Sequence, residues 1–310
     1  MANVAWPEKG KRNIIGSRIP RQDGPEKTTG EAKYSYDINR PGMLWGKLVT
    51  SPKAYAELVA VDTSVASSLP GVKAVWIDED LIGEELRYVG QVIACVAAET
   101  EEAAIEAAEK VKLQLKVLEH QVDDSDAALS TGRPSNREEG NLDEGFAGAD
   151  VVIEGEYGLS VITHCCLEPH GQVTEVKDGE LYVWPSTQNV SRYSNQFGDE
   201  IEIPQNKIHV DTQYMGGGFG SKFNIDKWGI IGAKLSQETG RPIKIMLDRR
   251  EEMMIGGNRP SGFAKVKVGL QRDGLISAVD AEVWGSGGQG SFRAPPVPYV
   301  FTKVPNTRLV

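Results

Sequence analysis

The sequence predicts a protein of the α+β (mixed α/β) class, because short apolar runs suited to strands recur between segments with helical periodicity. Hydrophobic residues make up 40% of the 310 residues and charged residues 25%, a balance that supports a large buried core. A chain of this length corresponds to about two domains. A polar stretch at residues 121–148 separates two groups of predicted elements, so we expect two domains joined by a linker.

The first predicted domain covers residues 16–120 and follows an N-terminal extension, residues 1–15. Its predicted strands cover residues 44–49, 57–61, 72–77, 89–97 and 111–118, and its predicted helices cover 63–68 and 99–110. The longer helix is rich in alanine, and its apolar residues recur on one side. This one-sided pattern predicts that the helix packs on a sheet.

The second predicted domain covers residues 149–310, after the linker at 121–148. Its predicted strands cover residues 151–159, 171–176, 181–184, 208–212, 243–247, 264–270 and 276–284, and its predicted helices cover 188–197 and 226–238. The linker is rich in Asp, Ser, Gly, Asn and Glu, has no sustained periodicity and contains Pro134. These features are typical of a long surface connection.

Charge and composition exclude several classes of partner. The net charge of −10 argues against binding to nucleic acid, and no apolar run reaches the length of a membrane span. Three cysteines cannot form a disulfide framework, and the polar N-terminus lacks the apolar core of a signal peptide. We therefore expect a cytoplasmic protein, or a periplasmic one only if an exported partner carries it.

A glycine-rich run, residues 216–220, is the most informative motif of the chain. Gly216, Gly217 and Gly218 are followed by Phe219 and Gly220, between a predicted strand and a predicted helix. A backbone without Cβ atoms approaches a ligand closely and offers its N–H groups to an anionic or oxo group. The nearby helix N-terminus favours negative charge as well, so we expect a binding loop.

Two nucleotide-binding motifs are excluded by the residues around the glycines. A phosphate-binding P-loop requires Gly before Lys and then Ser or Thr, whereas Ser221 precedes Lys222 and Phe223 follows it. A second glycine run, residues 285–290, has the dinucleotide-binding spacing, but the prolines within 291–296 prevent the long helix that this motif needs. We predict that the second run forms a turn.

The first glycine run resembles the molybdenum-binding large subunit of the xanthine dehydrogenase and aldehyde oxidase family. The further matches are Ser186-Thr187-Gln188, Leu167-Glu168-Pro169-His170, and Gly240-Arg241-Pro242 leading to Leu247-Asp248-Arg249. The first predicted domain resembles the a/b hammerhead domain of the same family, through residues 29–34 and 87–91. The resemblance implies a hammerhead domain followed by an incomplete first half of a molybdopterin-binding domain.

The resemblance also implies an activity and its cofactors. Members of this family use molybdenum-molybdopterin, in some cases in the cytosine dinucleotide form, to hydroxylate an aldehyde or heteroaromatic C–H bond with water-derived oxygen. The electrons pass to iron-sulfur clusters and FAD, which the resemblance places on a 2Fe-2S subunit and an FAD subunit. The expected substrate is a small molecule.

Five positions are implied as cofactor contacts by the resemblance. Gln188 matches a glutamine that hydrogen-bonds toward the apical oxo group, and the amides of Phe219 and Gly220 lie against the metal centre, with Gly217 and Gly218 completing the loop. No direct protein ligand to the metal is expected. From the sequence alone, Gln188 also fits the first turn of a helix after capping hydroxyl groups, but its pairing with the glycine run favours the cofactor role. Lys222 is expected to be solvated or structural rather than catalytic.

The segment 164–170 allows two interpretations. In an extended strand, His164, Cys166, Glu168 and His170 point to one side and form a candidate donor set for a metal. Pro169 interrupts regular strand geometry. We therefore favour the alternative, in which these are buried polar residues with hydrogen-bond partners.

The sequence departs from the family at two places. Xanthine-oxidising members carry a glutamate where this chain has Phe223, which we place in the substrate pocket, so an aldehyde or another heteroaromatic compound is favoured over xanthine. The family's general-base glutamate belongs to a later part of the large subunit, which this sequence does not include. Two hypotheses follow: a subunit portion completed by a C-terminal half, or a non-catalytic scaffold, assembly component or truncated remnant without bound metal.

Overall fold

The computed structural model describes residues 7–8, 10–129, 136–288 and 303–310. In these ranges the helices are α1 (Gly24–Thr29), α2 (Ser64–Ser68), α3 (Glu101–Lys110), α4 (Leu142–Ala147), α5 (Val190–Tyr193), α6 (Lys227–Thr239) and α7 (Arg249–Ile255). The strands of the N-terminal part are β1 (Leu44–Thr50), β2 (Ala56–Asp62), β3 (Val72–Ile77), β4 (Glu85–Leu86), β5 (Val92–Ala98) and β6 (Lys112–Val117).

The later strands are β7 (Arg137–Glu139), β8 (Val151–Leu159), β9 (Ile162–Thr163), β10 (Gly171–Lys177), β11 (Glu180–Pro185), β12 (Ile208–Val210), β13 (Ile243–Met246), β14 (Asn258–Arg259), β15 (Gly262–Leu270), β16 (Ile276–Trp284) and β17 (Thr307–Leu309). Together the strands form a seven-stranded sheet ordered β12-β11-β10-β13-β1-β5-β3 and a five-stranded sheet ordered β7-β17-β16-β15-β8. Two smaller sheets have the orders β4-β2-β6 and β14-β9. The mixed α/β class is therefore confirmed.

The seven-stranded sheet combines strands from both halves of the sequence. Strand β1 pairs in parallel with β13, so that Leu44 lies opposite Ile243, and β10 pairs antiparallel with β13 on its other side. The sequence did not indicate this pairing, because register between distant strands leaves no local pattern. The two predicted domains consequently share one continuous sheet.

Helices cover both faces of this seven-stranded sheet. Helix α3 begins after Thr100, whose hydroxyl oxygen accepts a hydrogen bond from the Ala103 amide at 3.1 Å, and its Ala107 packs on Val96 of β5. Helix α6 covers the opposite face with buried residues that include Ile231. It ends at Gly240, which has the left-handed φ of 64° that suits a helix C-terminus.

The five-stranded sheet leaves its edge strand exposed. We call four apolar residues of this strand the β8 row: Val151, Ile153, Tyr157 and Leu159, which are 52%, 52%, 66% and 58% exposed. They share one face of the sheet with the neighbouring strand β15, where Val268 lies opposite Ile153. Within the described residues β8 pairs only with β15.

Most predicted elements are confirmed with ends shifted by at most two residues, and three of the differences have a visible structural cause or extent. The strand predicted from residue 89 begins at Val92, because Gly90 adopts a φ of 94° in a turn and its amide donates to the Ser51 carbonyl at 2.8 Å. The helix predicted at 188–197 is α-helical only in α5 and continues as 3₁₀ turns, Ser194–Gln196 and Gly198–Ile201. The strand predicted at 208–212 covers only β12.

The segment predicted as a linker contains regular structure near its end. Strand β7 pairs with β17, and helix α4 begins after Asn141, whose side-chain oxygen accepts hydrogen bonds from the Asp143 and Glu144 amides. Strand β7 reads Arg-Glu-Glu, which has no apolar alternation, so no strand was predicted there. Residues 130–135, with Pro134, and residues 1–6 and 9 lie outside the described part of the chain. None of the described helices is long and apolar enough to cross a membrane.

Candidate functional site

The glycine loop, residues 216–220, lies between β12 and α6 and has an unusual backbone. Gly217 and Gly220 have φ angles of 108° and 104°, and Phe219 has a positive φ of 53°. Positive φ is costly for a residue with a side chain and occurs where the surrounding structure requires a particular shape. The loop conformation therefore explains why glycines occupy two of these positions.

Gln188 contacts the glycine loop directly. Its side-chain oxygen Oε1 accepts hydrogen bonds from the amides of Gly220 at 3.0 Å and Lys222 at 3.3 Å, and its own main-chain amide donates to the Lys222 carbonyl at 2.8 Å. A Cβ atom at Gly218 would overlap this Oε1, so only glycine leaves room for the glutamine. The structure thus brings together the two motifs that the sequence analysis paired.

Gln188 does not cap helix α5, whose N-cap residue is Asn189 and which has no side-chain cap hydrogen bond. The hydroxyl oxygen of Thr187 accepts a hydrogen bond from the Asn189 amide at 3.0 Å, next to the start of α5. The side chain of Gln188 is instead turned toward the loop. Local helix capping therefore does not account for its orientation.

Within the described residues, three neutral donors at the loop have no hydrogen-bond acceptor. They are Nε2 of Gln188 and the amides of Gly218 and Phe219, for which no described atom is an acceptor. A Cβ atom at Gly220 would meet nothing within 4 Å, which shows open space beside this residue. Such an arrangement suits an electron-rich oxygen, because amide donors stabilise its charge without transferring a proton.

Glu168 holds the glycine loop from behind. Its side chain is buried, and its Oε2 accepts hydrogen bonds from the Gly216 amide at 2.6 Å and the Ser186 hydroxyl at 2.8 Å. Its Oε1 accepts from the Ser35 amide at 3.0 Å, which ties the N-terminal part of the chain to the site. A carboxylate with three such donors is well stabilised although it is buried.

Lys222 is also buried and completes this arrangement. Its ammonium group donates to the Ser186 hydroxyl at 2.6 Å, to the Glu168 carbonyl at 2.8 Å and to the Pro169 carbonyl at 3.4 Å. Burial lowers the pKa of Lys222, and the negative charge of Glu168 opposes this effect. Of the two expected roles for Lys222, the structural one is confirmed and the solvated one is wrong.

Glu168 and His170 of the segment 164–170 are buried and hydrogen-bonded, as the favoured interpretation predicts, whereas His164 is only partly buried and its Nδ1 has no partner among the described residues. Nδ1 of His170 lies 2.8 Å from Oε1 of Glu252, and both side chains are buried. The main-chain amide of His170 also donates a hydrogen bond to this Oε1. Burial lowers the pKa of His164, which is not part of a strand. The described residues contain no group of three or more His, Cys, Asp or Glu side chains arranged to hold a metal.

Two phenylalanine side chains project outward beside the loop. Phe219 is 63% exposed and Phe223 is 45% exposed. The Phe223 carbonyl accepts hydrogen bonds from the side chains of Asn189 at 3.0 Å and Gln196 at 3.3 Å, so its main chain is fixed while its ring faces outward. Both rings are exposed apolar groups in or near the loop, and the place of Phe223 in a substrate pocket stays a prediction.

A cavity of about 600 Å³ lies away from the glycine loop. Its walls include Tyr36, Trp45, Leu167 and Arg249, and it borders Glu168 but not Gln188. The second glycine run is partly described: the Ser261 amide donates to the Ser286 carbonyl at 3.0 Å, and residues 285–288 form no helix or strand. Residues 289–296 lie outside the described ranges, so the turn at 285–290 stays a prediction.

The fold and the loop together define a cofactor-binding α/β protein in which a glutamine side chain meets a glycine-rich loop. Residues 127–306 match the family model of the molybdopterin cofactor-binding domain, and residues 29–86 match the a/b hammerhead domain of aldehyde oxidase and xanthine dehydrogenase. The chain therefore belongs to the aldehyde oxidase and xanthine dehydrogenase family. The family resemblance of the sequence is confirmed.

Individual relatives are considerably longer than this chain. Aldehyde oxidase 2 of Rattus norvegicus is 33% identical over 294 residues, which cover 88% of this chain and 22% of the relative. A probable xanthine dehydrogenase subunit of Bacillus subtilis (strain 168) is 33% identical over 311 residues, which cover 91% of this chain and 41% of the relative. The chain thus corresponds to less than half of either protein.

Solved structures agree on the fold. The structure of quinoline 2-oxidoreductase from Pseudomonas putida 86 superposes with a TM-score of 0.81 at 24% identity, covering 88% of this chain and 39% of that chain. Reconstituted CO dehydrogenase from Oligotropha carboxidovorans gives a TM-score of 0.75 at 25% identity, with 87% and 39% covered. Both matches extend across the hammerhead and cofactor-binding parts.

Proposed function

We propose that this chain binds molybdenum-molybdopterin at the glycine loop and forms part of a molybdenum hydroxylase. The observation that carries the proposal is the contact between Gln188 and Gly220, in which Oε1 accepts from the loop amide at 3.0 Å. Because Oε1 is occupied in this way, the Nε2 group of Gln188 is directed elsewhere and keeps its hydrogens for a ligand. The family membership supports the identity of that ligand.

The cofactor, when bound, supplies the redox chemistry and the oxygen that is transferred to the substrate. The residues of this chain bind and position it, because Nε2 of Gln188 and the amides of Gly218 and Phe219 would hold and orient the cofactor's oxo end. The Gly220 amide, which donates to Oε1 of Gln188, would hold the glutamine in place. These groups are neutral donors on a fixed backbone, so they need little reorganisation when charge develops on an oxygen. The proposed cofactor includes molybdopterin in its cytosine dinucleotide form.

The proposed substrate is an aldehyde or a heteroaromatic compound other than xanthine, hydroxylated at a C–H bond. The rings of Phe219 and Phe223 support this choice, because they offer an apolar, uncharged surface beside the loop. A base is also needed to remove a proton during attack on carbon. We assign that base to a glutamate in the later part of the large subunit, so turnover requires that part.

The proposed partners are therefore the C-terminal half of the large subunit, a 2Fe-2S subunit and an FAD subunit. The β8 row supports a further protein segment on the five-stranded sheet, since a row of apolar side chains on an open sheet edge is unfavourable in water. We place the assembled protein in the cytoplasm, and the free thiols of Cys95, Cys165 and Cys166 are compatible with that compartment.

The first experiment purifies the chain from its native host with its associated proteins and measures molybdenum per chain. We expect close to one molybdenum per chain, together with an iron-sulfur protein and a segment that corresponds to the later part of the large subunit. A metal-free chain from a host that makes active molybdenum enzymes would favour the alternative, a scaffold, assembly component or truncated remnant.

A substitution then tests the role of Gln188. In the assembled enzyme, Gln188→Ala should lower turnover about 10²–10³-fold, as the loss of an oxyanion-type donor does, while most of the molybdenum is retained. Gln237→Ala is the matched control, because this glutamine lies near the far end of α6 and its side chain donates to the Ile201 carbonyl. Equal losses of molybdenum and turnover in Gln188→Ala would contradict the assignment.

A further inference from the structure

We propose that Lys222, acting through Ser186 and Glu168, is a positioning residue that sets the place of the Gln188 amide at the glycine loop. This inference rests on the proposed function only in the identity of the ligand that Gln188 meets. The sequence indicated at most a structural role for Lys222, and it did not indicate a connection to Gln188. The geometry of the three side chains supplies it.

The main chain of Lys222 holds the segment that carries Gln188. Its carbonyl accepts hydrogen bonds from the Gln188 amide at 2.8 Å and the Thr187 hydroxyl at 3.0 Å, and its amide donates to Oε1 of Gln188 at 3.3 Å. A displacement of the Lys222 main chain would therefore move both the main chain and the side chain of Gln188.

The side chain of Lys222 fixes the same segment from the other end. Its ammonium group donates to the Ser186 hydroxyl, and that hydroxyl donates in turn to Oε2 of Glu168, which also accepts from the Gly216 amide. These hydrogen bonds connect residue 186 with residue 216, at the start of the glycine loop, and with residue 222, two positions after its end. The loop and the Gln188 segment are thereby held against each other.

Burial makes this arrangement rigid. The Lys222 side chain is fully buried, the Glu168 side chain is 5% exposed, and Nζ lies 4.0 Å from Oε2. All three hydrogens of the ammonium group have acceptors, so the charge is fully hydrogen-bonded in this geometry. Removal of either charge leaves the other buried without its partner, which forces the surrounding segments to move.

Lys244 provides a matched comparison in the same protein. It is 2% exposed, and its ammonium group donates to the carbonyls of Tyr36 and Ile38 and to Oδ1 of Asn39, so it is as buried and as well satisfied as Lys222. It lies in β13, and its side-chain hydrogen bonds to other described residues involve neither Gln188 nor the glycine loop. Loss of Lys244 should therefore destabilise the fold without moving Gln188.

The experiment observes the Gly220 amide by NMR in the cofactor-free chain. The sequence contains two Phe-Gly pairs, at 197–198 and 219–220, so labelling with 13C-carbonyl phenylalanine and 15N-glycine gives one signal for Gly220 and one for Gly198. Phe197→Leu identifies the Gly198 signal by removing it. Gln188→Ala gives the reference displacement of the Gly220 signal when its hydrogen bond is lost.

We expect Lys222→Met to move the Gly220 signal in the direction of the Gln188→Ala reference, by at least half of that displacement, while the Gly198 signal stays in place. Lys244→Met should leave both signals in place. An unmoved Gly220 signal in Lys222→Met, or an equal displacement in Lys244→Met, overturns the proposal.

Two further variants separate positioning from stability. The double variant Lys222→Met with Glu168→Gln removes both charges, and it should regain thermal stability relative to Lys222→Met while the Gly220 signal stays displaced. Return of the signal together with the stability would show a merely structural role. If Lys222→Met does not fold, Ser186→Ala makes the same test, since it removes the hydroxyl between the two charges, and an unmoved Gly220 signal there overturns the proposal.

Cofactor loading gives a separate result. When the partner-complete protein is isolated with molybdenum, Lys222→Met should retain less molybdenum than Lys244→Met. A wild-type protein without molybdenum contradicts the proposed function but leaves the NMR result to decide the positioning role. Equal retention in the two lysine variants overturns the link between Lys222 and the cofactor.

Discussion

The two large sheets of this protein differ in how completely the described chain covers them. The seven-stranded sheet has α3 on one face and α6 on the other, and all residues of its strand β5 are buried. The five-stranded sheet ends in β8, where eight of nine residues are exposed, including the β8 row. Both sheets are rich in apolar residues, so composition does not distinguish them.

This difference separates the glycine loop, whose shape depends on contacts within this chain, from strand β8, whose exposed face lacks such contacts within the described part of the chain. Glu168, Ser186 and Lys222 lie beside the seven-stranded sheet, and their hydrogen bonds are satisfied within the chain. The glycine loop is thus shaped before any partner binds. Among the described residues, β8 of the five-stranded sheet has no comparable internal support, and we therefore expect partner binding to act there.

The largest expected effect is the contrast between two identical substitutions. Ile231→Ala in α6 removes a fully buried side chain that packs on the seven-stranded sheet, and we expect it to lower the free energy of unfolding by about 2–5 kcal/mol. Ile153→Ala in the β8 row removes a side chain that is 52% exposed, and we expect a change of about 0.5 kcal/mol or less. Urea denaturation of both variants measures the difference.

Comparable losses in the two variants would mean that the β8 row is packed as firmly as the core. The contrast drawn between the two sheets would then be wrong. The β8 row would no longer be evidence that a partner segment covers the five-stranded sheet. The paired design removes the chemistry of the substitution as a variable, because both variants delete the same atoms.

The second expected effect, of intermediate size, is a pH dependence of stability that arises beside α6, the helix that covers the seven-stranded sheet. Asp226, the residue before α6, has a carboxyl group whose pKa burial raises to about 8, with the charge of Glu252 adding to the shift. The unfolded carboxyl ionises near its usual value of 3.8, so unfolding releases a proton between these two pH values. The contribution of Asp226 to stability therefore falls as pH rises from about 4 to about 8.

Asp226→Asn should remove this contribution. Urea titrations at a series of pH values measure the free energy of unfolding of both proteins. We expect the value for the variant minus that for the wild type to increase steadily from about pH 4 to about pH 8 and to level off above it. A constant difference over the same range would show that the carboxyl ionises equally in the folded and unfolded chains.

Local patterns in the sequence predicted the elements well where burial is regular. The stripe of apolar residues in α3 has a direct structural counterpart, because Ala104 and Ala107 of this helix are buried. The pairing of β1 with β13 and the strand β7 were missed, since the first depends on register between distant segments and the second is a polar strand that owes its conformation to β17. Tertiary context, rather than local propensity, determines both.

The candidate site shows the same division. Motif spacing indicated Gln188 and the glycine loop, and the structure places them in contact. A structural Lys222 and a buried Glu168 were among the expectations, but their contact was not predicted, because the sequence cannot show that two charges 54 positions apart are buried around one hydroxyl group. A lysine close behind a glycine loop was itself a signal, since a long side chain there must either reach solvent or find buried acceptors.

The smallest expected effect on stability concerns the β8 row. Ile153→Thr combined with Tyr157→Thr keeps strand-compatible residues but removes exposed apolar area, so the fluorescence of the dye ANS bound to the isolated chain should fall. The free energy of unfolding should change by about 0.5 kcal/mol or less. Glu156→Gln on the opposite face of the same strand is the control and should leave dye binding as in the wild type. Unchanged fluorescence in the double variant would place the dye-binding surface elsewhere. Reduced fluorescence together with weaker binding of a C-terminal partner segment would show that the open edge of the five-stranded sheet takes part in assembly.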